Sequence, residues 1–245
     1  MDDYLEKTLA ALCSRHIKGI FAKDLKEANR KVLDLIPPGA TVGFGDSTAV
    51  RQTGVLQELE ARGIKILNAF ITKRSEMDIE DFRQWREKIV HEATLCDVFL
   101  TGTNALTQDG KLINVDAVGN RVAGMFWGHP LSIVIVGKNK IVRNLDEAFD
   151  RIKNIIAPTH FRIRSGELGG RKRETPCVAT GKCNDCRSRD RGCNVYTIIE
   201  GKPARTDLHV IIVNQDLGLG WDSSWPQKRI TRILDDYKKF VWLPV

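Results

Sequence analysis

Short apolar segments alternate with amphipathic runs through the middle of this chain, and that alternation constrains the fold more than any other feature. Strands that alternate with helices of about ten to fifteen residues form parallel sheets. Four consecutive β-branched residues at 133–136 suit a strand buried on both faces. Strands are predicted at 41–44, 65–70, 97–101 and 132–136, and helices at 48–62, 78–92 (N-cap Asp78) and 145–156. The sequence therefore predicts an α/β fold, a parallel or mixed sheet flanked by helices.

The ends of the chain depart from this alternation. Residues 1–40 predict amphipathic helices packed on the core, which the Pro-Pro-Gly sequence at 37–39 brings to an end. Residues 216–245 predict a C-terminal helix and tail, with the helix itself at 226–240. The α/β domain is expected to span 41–215.

One long irregular segment lies inside that domain. The helix that begins at 145 is predicted to end at Ala157-Pro158. Residues 160–194 then lack periodicity and are rich in Gly and Arg, which indicates an insertion. Strands at 195–199 and 208–213 are expected to return the chain to the same sheet.

Composition excludes several classes of protein. The 245 residues have 42% hydrophobic and 28% charged side chains, which are globular values rather than those of a disordered chain. No apolar run approaches the ~20 residues of a membrane-spanning helix. The acidic start lacks the features of a signal peptide, so the cytoplasm, where thiols stay reduced, is the expected compartment. The net charge of +7 is too widely spread to predict nucleic-acid binding by itself.

Four of the six cysteines form the strongest chemical signal. They are spaced C-x5-C-x2-C-x6-C, and residues 160–193 contain nine Lys or Arg against four acids. Thiolates bind iron–sulfur clusters or zinc, and nearby cations offset the negative charge of such a site. An iron–sulfur cluster, of the 4Fe-4S type, is favoured over zinc, with a redox pair or unligated thiols as further alternatives. The predicted ligands are Cys177, Cys183, Cys186 and Cys193. Cys13 and Cys96 stand alone and are predicted to be core residues.

Two polar loops follow predicted strands and are candidates for a binding pocket. The carboxyl ends of parallel strands meet at one edge, where α/β proteins bind ligands. The loop at 43–51 lacks the third glycine of a dinucleotide fingerprint and the lysine of a Walker A loop. Predicted binding residues are Gly45, Ser47, Thr48, Arg51, Gly102, Thr103, Asn104, Asn120 and Arg121. The two arginines are the candidates for holding a carboxylate or phosphate, although a capped turn or a surface loop would have a similar sequence.

Candidate catalytic groups lie in or near the same loops. Asp46 and Asp116 are candidates to exchange protons with a ligand, although a structural role is favoured for each. His129 precedes a proline and is expected beside the proposed pocket. No Ser-His-Asp arrangement and no HExxH motif is evident, so the sequence does not identify a catalytic mechanism.

Four segments together resemble the LUD-domain (lactate utilization, DUF162) proteins. They are VGFGDSTAVRQTG, TGTNALTQDGKLINVDAVGNRVAGM, SIVIVGKNKIV and TPCVATGKCNDCRSRDRGCN. The resemblance covers roughly residues 1–215. It implies a fold related to CoA-transferases and ribose-phosphate isomerases, and a role in lactate oxidation alongside FAD-type or iron–sulfur partner chains. The chain lacks the two CxxCxxC motifs of the larger operon subunit and carries its own four-cysteine loop, so it looks like a stand-alone member.

Two functional hypotheses remain open. In the first, the chain is a redox accessory protein of 2-hydroxyacid utilization, with an iron–sulfur cluster beside a carboxylate- or phosphate-binding pocket and with redox partner proteins. In the second, it is a CoA-transferase-like enzyme or binding protein for a phosphorylated or carboxylated small molecule, and zinc staples the cysteine loop. A nucleic-acid-binding role is disfavoured, because the basic stretch at 162–191 has few aromatic residues for base stacking. The sequence leaves self-association open.

Overall fold

The computed structural model describes residues 2–71, 78–170 and 172–243. Strands account for much of this part of the chain. They are β1 (Lys18–Ala22), β2 (Val42–Phe44), β3 (Ile66–Leu67), β4 (Val98–Gly102), β5 (Ala105–Thr107), β6 (Leu112–Asp116), β7 (Leu131–Gly137), β8 (Ile141–Val142), β9 (Val195–Ile199) and β10 (Asp207–Val213). Six of them form a wholly parallel sheet in the order β1-β10-β7-β4-β2-β3. This confirms the predicted α/β class.

Helices flank the sheets. They are α1 (Asp3–Ser14), α2 (Leu25–Leu35), α3 (Thr48–Gln52), α4 (Val55–Ala61), α5 (Ile79–Glu92), α6 (Asn120–Phe126), α7 (Leu145–Arg151), α8 (Ala157–Arg162), α9 (Cys177–Thr180) and α10 (Gln227–Phe240). Side-chain caps begin several of them, because a cap satisfies backbone donors that lack a partner in the first turn. The predicted N-cap Asp78 accepts hydrogen bonds from the amides of residues 80 and 81.

The main sheet is buried on both faces. Ile133 and Ile135 of β7 pack with apolar residues of α2, α3 and α4. Val134 and Val136 point to the opposite face and pack with residues of α1 and α6. Because side chains alternate along a strand, a continuous apolar run is what a doubly covered strand requires. Among the described residues, no helix has both the length and the apolar character needed to cross a bilayer.

The second sheet was not predicted. It has four strands in the order β8-β5-β6-β9 and contains both parallel and antiparallel pairs. The expectation that residues 195–199 return to the main sheet is wrong, because β9 pairs with β6 along its whole length. Periodicity identifies a strand but not its neighbour, which tertiary packing decides.

The N-terminal segment is part of the main sheet. Both predicted helices exist, but the strand β1 lies between them and pairs with β10 at the sheet edge. The description of residues 1–40 as helices alone is therefore wrong. The predicted helix at 48–62 is likewise two helices, since Gly54 takes a left-handed φ of 71° between them. Cys13, predicted to be a core residue, is exposed, whereas Cys96 is buried.

The helix that begins at Leu145 does not end at Pro158. A π-helical turn at Ile152–Ile156 leads into α8, and a second one at Ile163–Glu167 follows it. A proline has no N–H to donate to the carbonyl four residues before it, which would normally interrupt a helix. In a π-helical turn the hydrogen bonds join residues five apart, so a turn of this kind just before Pro158 changes which carbonyls need a donor. Residues 160–167 are consequently helical, and the irregular insertion begins only after them.

Candidate functional site

A cavity of about 1080 Å³ lies at the carboxyl edge of the main sheet. The loops after β2 and β4 line it, together with α6, α8, α10 and the cysteine segment. Strands β2, β4 and β7 run parallel and in register, so the loops that follow them meet at this edge. Nine of the predicted residues line the cavity: Asp46, Ser47, Thr48, Gly102, Thr103, Asn104, Asp116, Asn120 and Arg121.

Arg121 is occupied by the protein itself. Its terminal nitrogens donate to the backbone carbonyls of Gly102 and Val115 and to the amide oxygens of Asn104 and Asn114, at 2.9–3.0 Å. Its Nε lies 3.5 Å from the Asp116 carboxylate. With every nitrogen directed at a protein acceptor, Arg121 clamps the carboxyl ends of β4 and β6 together. It borders the cavity but is a poor candidate for holding an anion.

Gly45 and Arg51 support the cavity from behind. The amide of Gly45 donates to the carbonyl of Leu100 at 2.9 Å and continues the pairing of β2 with β4. Arg51 donates to the carbonyl of Phe70 at 2.8 Å and lies 3.4 Å from the Asp46 carboxylate. Neither residue lines the cavity. Burial raises the pKa of Asp46, even though Arg51 and Arg164 act in the opposite direction.

His129 does not lie beside the cavity, so that prediction is wrong. It precedes β7, and Leu131 of that strand pairs with Val98 at the amino end of β4. The His129 ring stacks on Phe99 with centroids 5.3 Å apart, and burial lowers its pKa. A parallel strand separates the loops at its two ends, and the sequence does not mark to which end a neighbouring histidine belongs.

Two arginines that the sequence analysis did not single out face the cavity. Arg86 of α5 and Arg164 of the helical segment after α8 lie over the ring of Trp242, at 4.5 and 5.2 Å from its centroid. The buried Nε atom of each has no hydrogen-bond partner, and no carboxylate lies within 4.0 Å of either guanidinium in the described part of the chain. Their separation by almost eighty residues hid this pair from sequence analysis.

His160 and Tyr237 form a buried polar pair at the wall of the cavity. The His160 Nδ1 atom lies 2.5 Å from the Tyr237 hydroxyl, and its Nε2 atom lies 3.1 Å from a terminal nitrogen of Arg164. Because arginine can only donate, Nε2 must accept and Nδ1 must carry the proton. Burial, together with the charges of Arg164 and Arg173, lowers the pKa of His160 well below its ordinary value. The imidazole is thus held neutral and in one tautomer.

Lys140 is a further buried cation of the cavity lining that was not predicted. Its side chain is 8% exposed, and Nζ donates to the carbonyl of Thr103 at 2.9 Å. Burial, with a smaller effect of the Arg121 charge, lowers the pKa of Lys140 to about 7. An amine with such a pKa is partly neutral at neutral pH and can act as a base or a nucleophile.

The four predicted metal ligands surround one small cavity. Its volume is about 20 Å³, and Cys177, Cys183, Cys186 and Cys193 all line it. Burial raises the pKa of Cys177, and it raises the pKa of Cys193 to about 11, with the neighbouring thiols adding to the effect. The donor set suits a soft metal, but among the described residues no group of three or more His, Cys, Asp or Glu is gathered closely enough to hold an ion. Metal binding would therefore require the loop to draw the thiols together.

The cysteine loop adjoins the large cavity. Cys193 lines both the large and the small cavity, as do Arg191 and Gly192. Arg191 donates to the backbone carbonyls of Cys186 and Cys193 and pairs with Asp185 at 3.1 Å, so it ties the loop together from within. A more open cleft of about 400 Å³ on the same loop is lined by Cys186 and Cys193 together with three arginines.

Comparison with known proteins gives a family and a structural likeness. A family model described as the LUD domain matches residues 5–213. The crystal structure of a DUF162 family protein from Deinococcus radiodurans is similar, with a TM-score of 0.48 and 14% sequence identity, over 86% of this chain and 96% of that chain. No curated protein matches the chain.

Proposed function

The chain belongs to the LUD domain family, and we propose that it is a redox accessory protein of lactate or related 2-hydroxyacid utilization. In this role it binds a small carboxylate or phosphate in the large cavity, beside an iron–sulfur cluster held by the cysteine loop. The observation that carries the proposal is the position of Cys193, which borders the large cavity and the thiol-lined one at once. A cluster ligated there would lie next to the bound molecule.

The charge of the cavity supports an anionic ligand. Its described lining contains seven Lys or Arg side chains against three Asp side chains. Arg86 and Arg164 have no carboxylate within 4.0 Å in the described part of the chain and frame the Trp242 ring. Charge-assisted hydrogen bonds to a carboxylate or phosphate would use their free donors.

The cysteine loop supports a metal centre through its ligands and its charge. Four thiolates with a 4Fe-4S cluster leave a net negative charge, and Arg187, Arg189 and Arg191 line the adjoining cleft. A bound metal would stabilise the thiolates and reverse the raised pKa values of Cys177 and Cys193. The small volume of the thiol-lined cavity keeps zinc as the alternative, because one ion needs less space than a cluster once the loop has drawn the thiols together.

Calorimetric titration with lactate, pyruvate and inorganic phosphate tests the binding site. We expect Arg164→Gln to weaken binding at least tenfold, because a hydrogen bond to a charged group contributes about 1.5–3 kcal/mol. The matched control is Arg143→Gln, an exposed arginine on another face. Equal affinities for all three proteins, or no binding of any anion, would reject the cavity as the ligand site.

Metal analysis of protein purified without oxygen tests the cofactor. About four iron and four sulfide per chain, with a visible absorbance that bleaches on reduction, is the result expected of a 4Fe-4S cluster. One zinc per chain and no visible band would reject the redox role. Protein without any metal would reject both forms of the proposal. The redox role also requires an electron-accepting partner chain and a compartment that keeps thiols reduced, for which we propose the cytoplasm.

A second candidate is a zinc-stapled, CoA-transferase-like enzyme for a phosphorylated or carboxylated molecule. The observation that favours it is the presence of Lys140 and Asp46 in the lining of one cavity, because burial lowers the pKa of the lysine and raises that of the aspartate. Such groups serve acid–base chemistry without electron transfer. Stoichiometric zinc, together with a thermal shift on adding CoA or a sugar phosphate, would favour this candidate over the redox one.

A further inference from the structure

The surroundings of Lys140 are built for a lysine side chain. The loop after β10 passes over its stem, and Gly218 and Gly220 are the residues that face it. A Cβ atom added to Gly218, whose φ is +62°, would lie 2.9 Å from Lys140 Nζ, and one added to Gly220 would lie 3.4 Å from Cγ. A side chain at position 218 would press on the amine, whereas one at position 220 would only reach contact with the stem. Gly218 therefore leaves the space that the end of the Lys140 side chain occupies.

The backbone on either side of Lys140 is firmly anchored. The Asn139 side chain donates to the carbonyl of Gly220 at 2.9 Å and accepts from the amide of Leu217 at 2.8 Å. Arg151 donates to the carbonyl of Asn139 at 2.9 Å. These buried contacts fix the start of the Lys140 side chain, and the space beside Gly218 lets its end reach the large cavity that it lines.

The amine has no anionic partner. Its one hydrogen bond is to the carbonyl of Thr103, and within the described residues no carboxylate lies within 4.0 Å of Nζ. The charged group that acts on it electrostatically is Arg121 of α6. A lysine that served only to neutralise a buried acid would have a carboxylate beside it. Here the amine is buried, contacts a neutral carbonyl and is acted on by the charge of an arginine, which is the setting that keeps a lysine amine neutral and nucleophilic.

We propose that Lys140 forms a Schiff base with the carbonyl carbon of a small 2-oxo acid held in the large cavity. The carbonyl supplies the electrophile, and the free donors of Arg86 and Arg164 supply the site for its carboxylate. This deepens the proposed function and rests on it, because it requires that the cavity bind a carboxylate.

The reaction balances without a redox partner. The nitrogen lone pair of the neutral amine adds to the carbonyl carbon, a proton passes from nitrogen to the former carbonyl oxygen, and a carbinolamine results. Its hydroxyl group then leaves with the remaining hydrogen on nitrogen as water, and a C=N double bond forms. Hydrolysis returns the free lysine and the 2-oxo acid.

Trapping with borohydride tests the proposal. The full-length protein is incubated with pyruvate, reduced, digested and examined by mass spectrometry for a covalent adduct. We expect a reduced adduct on Lys140 and none when acetate, which has no ketone, replaces pyruvate. Because the pKa of Lys140 is lowered to about 7, trapping should rise with a midpoint near that pH. An ordinary lysine amine, with a pKa near 10.4, would gain reactivity only at much higher pH.

Variants localise the effect. Lys140→Arg and Lys140→Met should abolish trapping, whereas Lys138→Met, in the same loop but bonded to Asn214 at 3.0 Å, should leave it unchanged. Trapping on the wild-type protein is decisive by itself, so the proposal can be rejected even if a variant fails to fold. Pyruvate that binds in calorimetry but leaves no adduct on Lys140 would overturn the Schiff base alone. Absence of binding for every anion would overturn both this inference and the proposed function.

Discussion

The large cavity and the cysteine loop border each other but are organised in opposite ways. The walls of the cavity are fixed by buried hydrogen bonds such as those of Arg121, which join the carboxyl ends of β4 and β6. The cysteine loop contains one short helix, is mostly exposed, and holds its thiols apart. The cavity is therefore a preformed site, whereas the loop needs its ligand to become one.

This difference predicts how substitutions in the two regions change the free energy of unfolding. A preformed polar wall costs stability when one of its groups is removed, because the remaining buried partners are left unsatisfied. A loop that closes on a metal gains stability only when the metal is present. The following variants separate the two cases.

Arg121→Met should have the largest effect. It removes the ion-pair partner of the Asp116 carboxylate and takes a donor away from the carbonyls of Gly102 and Val115 and from the amide oxygen of Asn114. Breaking such a buried arrangement costs about 3–5 kcal/mol. Arg143→Met is the control, since its side chain is 79% exposed and a surface pair contributes only about 0–1 kcal/mol. Chemical denaturation of the metal-free proteins measures both. Similar losses in the two variants would refute the view of Arg121 as the clamp of the cavity.

Cys186→Ala should matter only when metal is bound. We expect the variant to lose the metal and, with it, the stabilisation that the metal gives, about 2.7 kcal/mol at a free concentration one hundred times Kd. Metal-free wild type and metal-free variant should then unfold alike. Cys13→Ala, at an exposed cysteine outside the loop, is the control. A variant that retains its metal would exclude Cys186 as a ligand.

The sequence pointed to the cysteine loop more clearly than to the large cavity, although the cavity is the preformed site of the two. The cysteine spacing stands out within seventeen residues, yet the geometry it predicts is not assembled among the described side chains. Asp46, Ser47 and Thr48 could be placed at the cavity edge because they follow a recognisable strand. Arg86, Lys140 and Tyr237 could not, because they come from distant elements and each looks like an ordinary residue of its own segment.

The sheet shows the same limit. Runs such as 133–136 predict a strand and its burial, since periodicity and residue type are local properties. The assignment of β9 to the second sheet, and the continuation of the helix through Pro158, depend on partners that are distant in sequence or on a change of hydrogen bonding at one turn. Local patterns therefore predicted the elements better than their neighbours.

Tyr237→Phe tests the preformed wall on a smaller scale. The change removes the hydroxyl that accepts the Nδ1 proton of His160 and leaves a buried donor unsatisfied, at a cost of about 1–3 kcal/mol. Tyr4→Phe, whose hydroxyl is outside this pair, is a matched control in denaturation experiments. Equal costs would indicate that the His160–Tyr237 contact contributes nothing to the wall.

The smallest expected effect is the pH dependence that Asp46 gives to ligand binding. Burial raises the pKa of this carboxyl, so its protonated form is favoured in the folded protein. Its contribution to stability is consequently present below the unfolded pKa, near 3.9, and is lost as pH rises through the higher folded value.

Over the same pH interval Asp46 becomes negative, and an anion in the cavity should bind severalfold more weakly because like charges repel. Asp46→Asn should remove the pH dependence of the affinity over that interval, as measured by calorimetric titration with phosphate or lactate. It should leave unchanged the steep pH dependence of trapping on the Lys140 amine near pH 7. If the anion affinity of the variant depends on pH at low pH as that of the wild type does, Asp46 does not face the bound anion. The preformed wall must then hold the anion through Arg164 instead.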